Sequence, residues 1–377
     1  MSKRVVVRKH EYYDSVRLMK ISEAVRREPG VSEAILMMAT DNNKKLLSAA
    51  GLLIDRAASA AADDLVVAIV AGTEKAAELA LEKATQLLVQ RAAAASDYLH
   101  RTLESALAGD AAINLAFISV PGQHAAAEAR RALENDLHVM VFSDNVTIEE
   151  EVELKRLARD KGLLLMGPDC GTAIIAGKGL GFANNTAPGP VGIVGASGTG
   201  IQEICVQLDR NGVGISHAIG TGGRDLKQAV GGITMLMGID LLEADPATRV
   251  IILTSKPPSA DVAGHILQRA ARCAKPVVVN FLGGDPAPAV EAGILTATTL
   301  EQAARLAIEV LDLRATGAAG FSDAELAAAA CGQAERFAPS QRFVRGLFSG
   351  GTLCYESLLS LQESIGGVYS NIALDAE

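Results

Sequence analysis

No tryptophan occurs among the 377 residues of this chain, and aromatic residues of all kinds make up only 3%. A core without large rings has to be filled by alanine, valine, isoleucine and leucine, within a hydrophobic fraction of 49%. With 36 glycines, that composition suits α/β layers, where small residues let helices sit close on a sheet. Positive charge is short as well. A net charge of −9 offers no basic face for a phosphate backbone, which excludes a nucleic-acid partner. No stretch reaches the roughly 18–20 uncharged apolar residues of a membrane span, so no membrane partner is expected. The opening "MSKRVVVRKHEYYD" meets charge before any signal-like apolar region, and the expected location is the cytoplasm. Cys170, Cys205, Cys273, Cys331 and Cys354 are scattered, with no C-x-x-C pair. That argues against a zinc site or a disulfide frame and leaves reduced structural thiols; no metal is expected.

What is present reads as a folded protein of several domains, since 377 residues are too many for one ordinary core. Strand-like and helix-like periodicities alternate from the start. Residues 1–109 are expected to form a small N-terminal α/β domain without a catalytic constellation, with His10 and the Tyr12–Tyr13 pair as surface or packing residues. From "NLAFISV" onward, a βαβαβ pattern predicts a Rossmann-like domain over 110–187. A Pro/Gly stretch, "NNTAPGPVG", opens a third, flavodoxin-like domain over 188–313. Residues 314–340 read as a linker with one weak helix, and 341–377 as the start of a second ligase-like domain. One strand–helix pair cannot bury its own faces, so that last piece either is cut short or docks on the rest. The expected fold class is therefore α/β, with tandem parallel-sheet domains.

The chain carries one pattern twice. "VGIVGASGTGIQE" (191–203) and "VRGLFSGGTLCYE" (344–356) align so that Gly198-Thr199 falls on Gly351-Thr352 and Glu203 on Glu356. A strand running through a glycine turn into a helix leaves unpaired backbone N–H groups at the positive end of the helix dipole. Such a start is a seat for phosphate or carboxylate, or else a plain tight turn. The candidate anion-binding residues are Ser197, Gly198, Thr199, Gly200, Ser349, Gly350, Gly351 and Thr352. Glu203 and Glu356, in the first turns, are expected to be favoured by the dipole or to cap an N–H. A P-loop is excluded, since "GASGTGIQ" has no lysine, and the glycine spacing is not that of a dinucleotide fingerprint.

Further candidates lie past expected strand ends, where open α/β sheets collect ligands. Pro168 and Asp169 in "GPDCG" either face that crevice or make an Asx turn. Gly222, Gly223, Arg224 and Asp225 in "GTGGRD" either position a carboxylate or present a solvated pair. Lys256 in "SKPP" is a weaker candidate of the same kind. His217, in an apolar strand, reads as a hydrogen-bonded core histidine, and His265 as a helix-surface residue. No residue is assigned a catalytic role.

"VGIVGASGTGIQE", "GTGGRD" and "MGPDCG" resemble stretches of the succinyl-CoA synthetase α-subunit group, and "GTLCYE" resembles the loop of its ligase-type domains. "YDSVRLMKIS", "VMVFSDNVTIEEEVELK", "GPDCGTAIIAG", "HAIGTGGRDL", "SKPP" and "LFSGGTL" are similar to FdrA-type proteins over essentially the whole chain. Members of that family normally continue past this endpoint. The resemblance implies a Rossmann-like CoA-binding-type domain at 110–187 and a ligase-type domain at 188–313. It also implies partner subunits in a hetero-oligomeric enzyme and a small anionic substrate. For FdrA-type proteins the implied activity is carbamoyl transfer in purine breakdown, from oxalurate and phosphate to oxamate and carbamoyl phosphate. Phosphate is then ligand or substrate. In the synthetases, paired helix starts face a phosphohistidine. Here no histidine follows His265, the supporting glutamate has no counterpart in "TSKPPSA", and no ATP-grasp half is seen. The first expectation is thus a phosphate-dependent carbamoyl or acyl transferase subunit. The alternative is an acid–thiol ligase subunit that binds CoA and borrows its histidine from a partner. A third is a non-catalytic scaffold or regulatory subunit.

Overall fold

The computed structural model describes residues 2–11, 13–89, 100–313, 323–365 and 367–372. Tyr12, the stretch 314–322 of the expected linker and residues 373–377 lie outside the described residues. The chain divides into two units, Met1–Arg101 and Thr102–Glu377. Among the described residues no helix is long and apolar enough to cross a membrane.

The first unit runs β1 (Ser2–Arg8), α1 (Ser15–Arg26), β2 (Val31–Met38), α2 (Asp41–Ala49), α3 (Asp55–Ala58), β3 (Leu65–Ala71) and α4 (Glu74–Val89). "LVVAIVA" is an unbroken apolar run, and such a run calls for cover on both faces. It obtains that cover as the middle strand of an antiparallel sheet, β1-β3-β2. Leu65, Val67 and Ile69 pack with Leu18, Val25 and Ala80 from α1 and α4. Val66 and Ala68 pack on the opposite side with Leu47 and Ala57 from α2 and α3.

The second unit opens with α5 (Leu103–Gly109), whose Leu103 and Leu107 pack on the core that follows. That core belongs to β4 (Leu115–Ile118), α6 (Gly122–Glu134), β5 (His138–Val141), α7 (Ile148–Asp160) and β6 (Leu165–Met166). Its sheet, β4-β5-β6, is parallel, as a Rossmann-like half requires. Next come the hairpin β7 (Thr172–Ile175) and β8 (Lys178–Gly181), then β9 (Pro188–Gly195), α8 (Gly198–Arg210), β10 (Ile215–Gly220) and α9 (Ile233–Ala244). The unit continues through β11 (Val250–Ser255), α10 (Ala260–Ala271), β12 (Val277–Phe281), α11 (Ala287–Glu291), β13 (Leu295–Thr296) and α12 (Leu300–Val310). It ends in α13 (Asp323–Ala334) and α14 (Gly351–Ser364).

The second sheet of this unit has the order β13-β12-β11-β9-β10-β7-β8. From β13 to β10 it is parallel, and its strand sequence is that of a flavodoxin-like sheet. β9 lies between β10 and β11, so the chain reverses direction across the sheet at β9. The glycine loop that follows β9 therefore sits at the switch point, where ligand crevices form. Two features differ from the sequence reading. The hairpin 172–181, within the expected domain at 110–187, is joined antiparallel to β10 and so extends the following sheet. The run before the second glycine loop, expected to be a strand, is not one: Phe343, Val344 and Leu347 are exposed, and the run joins none of the three sheets. The helix after it does dock. Tyr355 of α14 is buried in the core between α8 and α12, with Leu353 and Leu359 packed against it.

Candidate functional site

Ser197 starts α8: its hydroxyl accepts the Gly200 N–H at 3.0 Å. The turn is tight enough to need glycine. A Cβ on Gly195 would lie 2.8 Å from both Ile201 Cγ1 and Thr254 Cγ2. α14 starts differently, on Gly350, with no side-chain cap. The two starts meet. Ser197 Oγ and Thr352 Oγ1 are 2.5 Å apart and both residues are buried. Thr199 rests on Gly350 so closely that a Cβ there would come within 2.4 Å of Thr199 Cγ2. Of the eight candidate residues, Ser197, Thr199, Gly200, Gly350 and Thr352 are thus brought together. Gly198 approaches Thr172 instead, while Ser349 and Gly351 are exposed at the turn.

The matched glutamates have diverged. Glu203 accepts from Gln207 one turn on, at 2.6 Å. Glu356 accepts the N–H of Leu300, the first residue of α12, at 2.7 Å; it caps a neighbouring helix, not its own. Burial, together with the nearby Glu203 and Glu301 carboxylates, pushes the Glu356 carboxyl above its ordinary range.

The other candidates form two loops packed backbone to backbone. Gly222 has φ +84° and a Cβ there would lie 2.3 Å from the Pro168 carbonyl oxygen. Asp169, with φ 57°, donates its N–H to Ser143 O at 3.0 Å. Its carboxyl is raised by loss of solvent and by Asp144, against the pull of Arg224. A Cβ on Gly223 would stand 3.9 Å from that carboxylate. The expected roles of Arg224 and Asp225 need correction, because both are committed inward. Arg224 donates to Val146 O at 2.8 Å and pairs with Glu151 at 2.9 Å. Asp225 is fully buried, bonded to Lys155 Nζ at 2.7 Å and to the N–H groups of Thr234 and Met235. Lys155 also reaches Thr221 O at 2.9 Å and Glu151 at 3.0 Å. This buried Glu151–Lys155–Asp225 cluster was missed in the sequence, where Glu151 and Lys155 look like a solvated i,i+4 pair. The available signal was that both share a helix face with Leu154 and Ala158, which are buried.

Lys256 lies over the Tyr355 ring, 4.7 Å from its centroid. His217 is a bonded histidine, accepting the Ala176 N–H at 3.1 Å, and His265 is exposed on α10. The thiols are free, and burial pushes Cys170 and Cys205 up to about 12. The two glycine loops therefore offer backbone N–H groups and hydroxyls rather than an activated nucleophile.

A family model described as "AllF, heavy metal-associated domain" matches residues 1–105, and one described as "CoA binding domain" matches 186–283. The second match covers the switch-point sheet, not the 110–187 region for which the resemblance implied that domain type. An Escherichia coli protein, YahF, itself uncharacterised, is 44% identical over 385 residues, covering 100% of this chain and 73% of YahF. Succinate–CoA ligase subunit alpha 1 of Archaeoglobus fulgidus is 28% identical over 50% of this chain and 64% of its own length. Malate–CoA ligase subunit alpha of Methylorubrum extorquens is 29% identical over 40% and 51%. The chain thus matches about half to two thirds of these ligase subunits. Among solved structures, an ATP citrate lyase of Methanothrix soehngenii matches with TM-score 0.48 and 17% identity, over 67% of this chain and 48% of that one.

The metal named in the first match can be tested against the residues present. Heavy, thiophilic metals select thiolate ligands, and residues 1–105 contain no cysteine. Among the described residues the group of potential ligands is His10, Asp63 and Asp64. Asp64 already accepts the N–H groups of His10 and Ala61, and His10 Nδ1 is bonded to Asp63 at 2.8 Å. This set does not fit such a metal.

Proposed function

Because this chain belongs to the FdrA family, with YahF and with likeness to the α subunits of CoA ligases, we propose that it is the CoA- and anion-binding subunit of an acid–thiol ligase. The observation that carries the reading is the meeting of two helix starts at Ser197 and Thr352, beside the switch point of the sheet whose sequence matches a CoA binding domain. An oxyanion entering there would replace one hydroxyl–hydroxyl bond by donors from both starts. Each partly buried helix end is worth up to about 2 kcal/mol toward an anion. That is the chemistry a phosphoryl or acyl-phosphate group needs while a thiol displaces it. A phosphorylated histidine, if the reaction uses one, would come from outside residues 266–377, which hold none.

That same absence favours a second reading, the transfer of a carbamoyl or acyl group to phosphate, which needs two anion seats but no phosphohistidine. The ligase reading takes precedence, because the characterised relatives named above are CoA ligase subunits. Calorimetry with CoA and with phosphate tests it. Binding of CoA that phosphate modulates is the expected result. Phosphate binding without any affinity for CoA, with oxalurate phosphorolysis once partner subunits are added, would move the assignment to the transferase.

A further inference from the structure

A cavity of about 320 Å³ opens in the second unit away from the glycine loops. Leu115 and His138, the first residues of β4 and β5, line it, as does His217 near the start of β10. These are amino-terminal strand ends, whereas the glycine loops follow carboxyl ends. The remaining wall is largely apolar, including Met166, Ile219 and Leu241. A small apolar cleft with a few polar groups has the make-up of a small-molecule site.

The two imidazoles are held alike. His138 Nδ1 accepts the Leu164 N–H at 2.9 Å, and His217 Nδ1 accepts that of Ala176 at 3.1 Å. Each ring does the work of a backbone carbonyl at the end of a strand. A ring nitrogen that accepts a hydrogen bond carries no proton, so the N–H of each ring is on Nε2. His217 Nε2 faces the Asp245 carboxylate at 3.6 Å. His138 Nε2 has no partner among the described residues. The cleft is lined by no lysine or arginine, so a full negative charge would have no counter-ion there.

We propose that this cleft binds a compact, uncharged, apolar molecule through a carbonyl oxygen that accepts from His138 Nε2–H. The site is independent of the ligase reading and lies at the opposite ends of the strands from its loops. The probe is cyclohexanone, followed by saturation-transfer NMR on the full chain, with cyclohexylammonium as the matched cation. Cyclohexanone should receive transfer and shift the ¹⁵N resonance of His138 Nε2 while leaving His265 unmoved. Cyclohexylammonium should not bind. Leu241→Trp, at a rim position 43% exposed, should weaken cyclohexanone at least tenfold, and so should Asn114→Trp at another exposed lining position. No transfer to cyclohexanone, equal transfer to cyclohexylammonium, or binding that survives both tryptophans in folded protein would overturn the proposal.

Discussion

Ser197 Oγ lies 2.5 Å from Thr352 Oγ1 across 155 residues of sequence, with both residues buried. One hydroxyl caps α8 and the other stands at the uncapped start of α14, so the pair ties the two copies of the repeated motif together. Ser197→Ala should cost about 1 kcal/mol of stability through the lost cap alone. Urea unfolding measures that cost.

Gly350 is the position where α14 can be forced away from α8. Gly350→Val would drive a side chain into Thr199, already 2.4 Å from the site of a Cβ. Phosphate affinity should fall at least tenfold, equivalent to about 1.4 kcal/mol. Ser357→Ala, whose hydroxyl only returns to Leu353 O of its own helix, should leave it unchanged. Calorimetric phosphate titration of both variants decides the point.

Lys155 is buried between two carboxylates. Lys155→Met leaves Asp225 and Glu151 without their shared cation, and breaking a buried pair in this way costs about 3–5 kcal/mol. Adding Asp225→Asn and Glu151→Gln should recover part of the loss. A urea midpoint no lower in the single variant than in the triple would show that the cluster is not coupled.

Glu356 sets a pH dependence with a definite sign. Its folded-state value is raised, so the folded protein binds the proton more readily than the unfolded chain does. Its contribution is most favourable under acid conditions and is lost as pH rises from the ordinary value of 4.5 through the raised one. Glu356→Gln keeps an acceptor for the Leu300 N–H and removes the titration. The stability difference between variant and parent should therefore grow in the variant's favour across that window and level off above it.

Thiol reactivity should separate by burial. Cys331 is exposed, whereas Cys170, Cys205 and Cys354 are buried. With a disulfide reagent at neutral pH, Cys331 should react fast and Cys273 more slowly. The three buried thiols should wait for unfolding, and mass-spectrometric mapping of the labelled peptides reads the order.

The alternation of strands and helices, the two glycine loops and the flavodoxin-like run were legible in the sequence, because side-chain periodicity and turn chemistry act within short windows. The apolar run of β3 announced a strand, and the structure covers both of its faces. Partners far along the chain were decided only by the tertiary structure. Glu151 and Lys155 carry the spacing of a solvated ion pair, and only the arrival of Asp225 turns them into a buried cluster. Glu203 and Glu356 occupy equivalent places in the repeat, yet one bonds within its own helix and the other caps α12, 56 residues away. Val191 is central in a sheet while its counterpart Val344 is exposed, although both precede the same loop pattern. A strand is stable only where neighbouring backbone satisfies its N–H and C=O groups, and that neighbour is supplied by the fold, not by the segment itself.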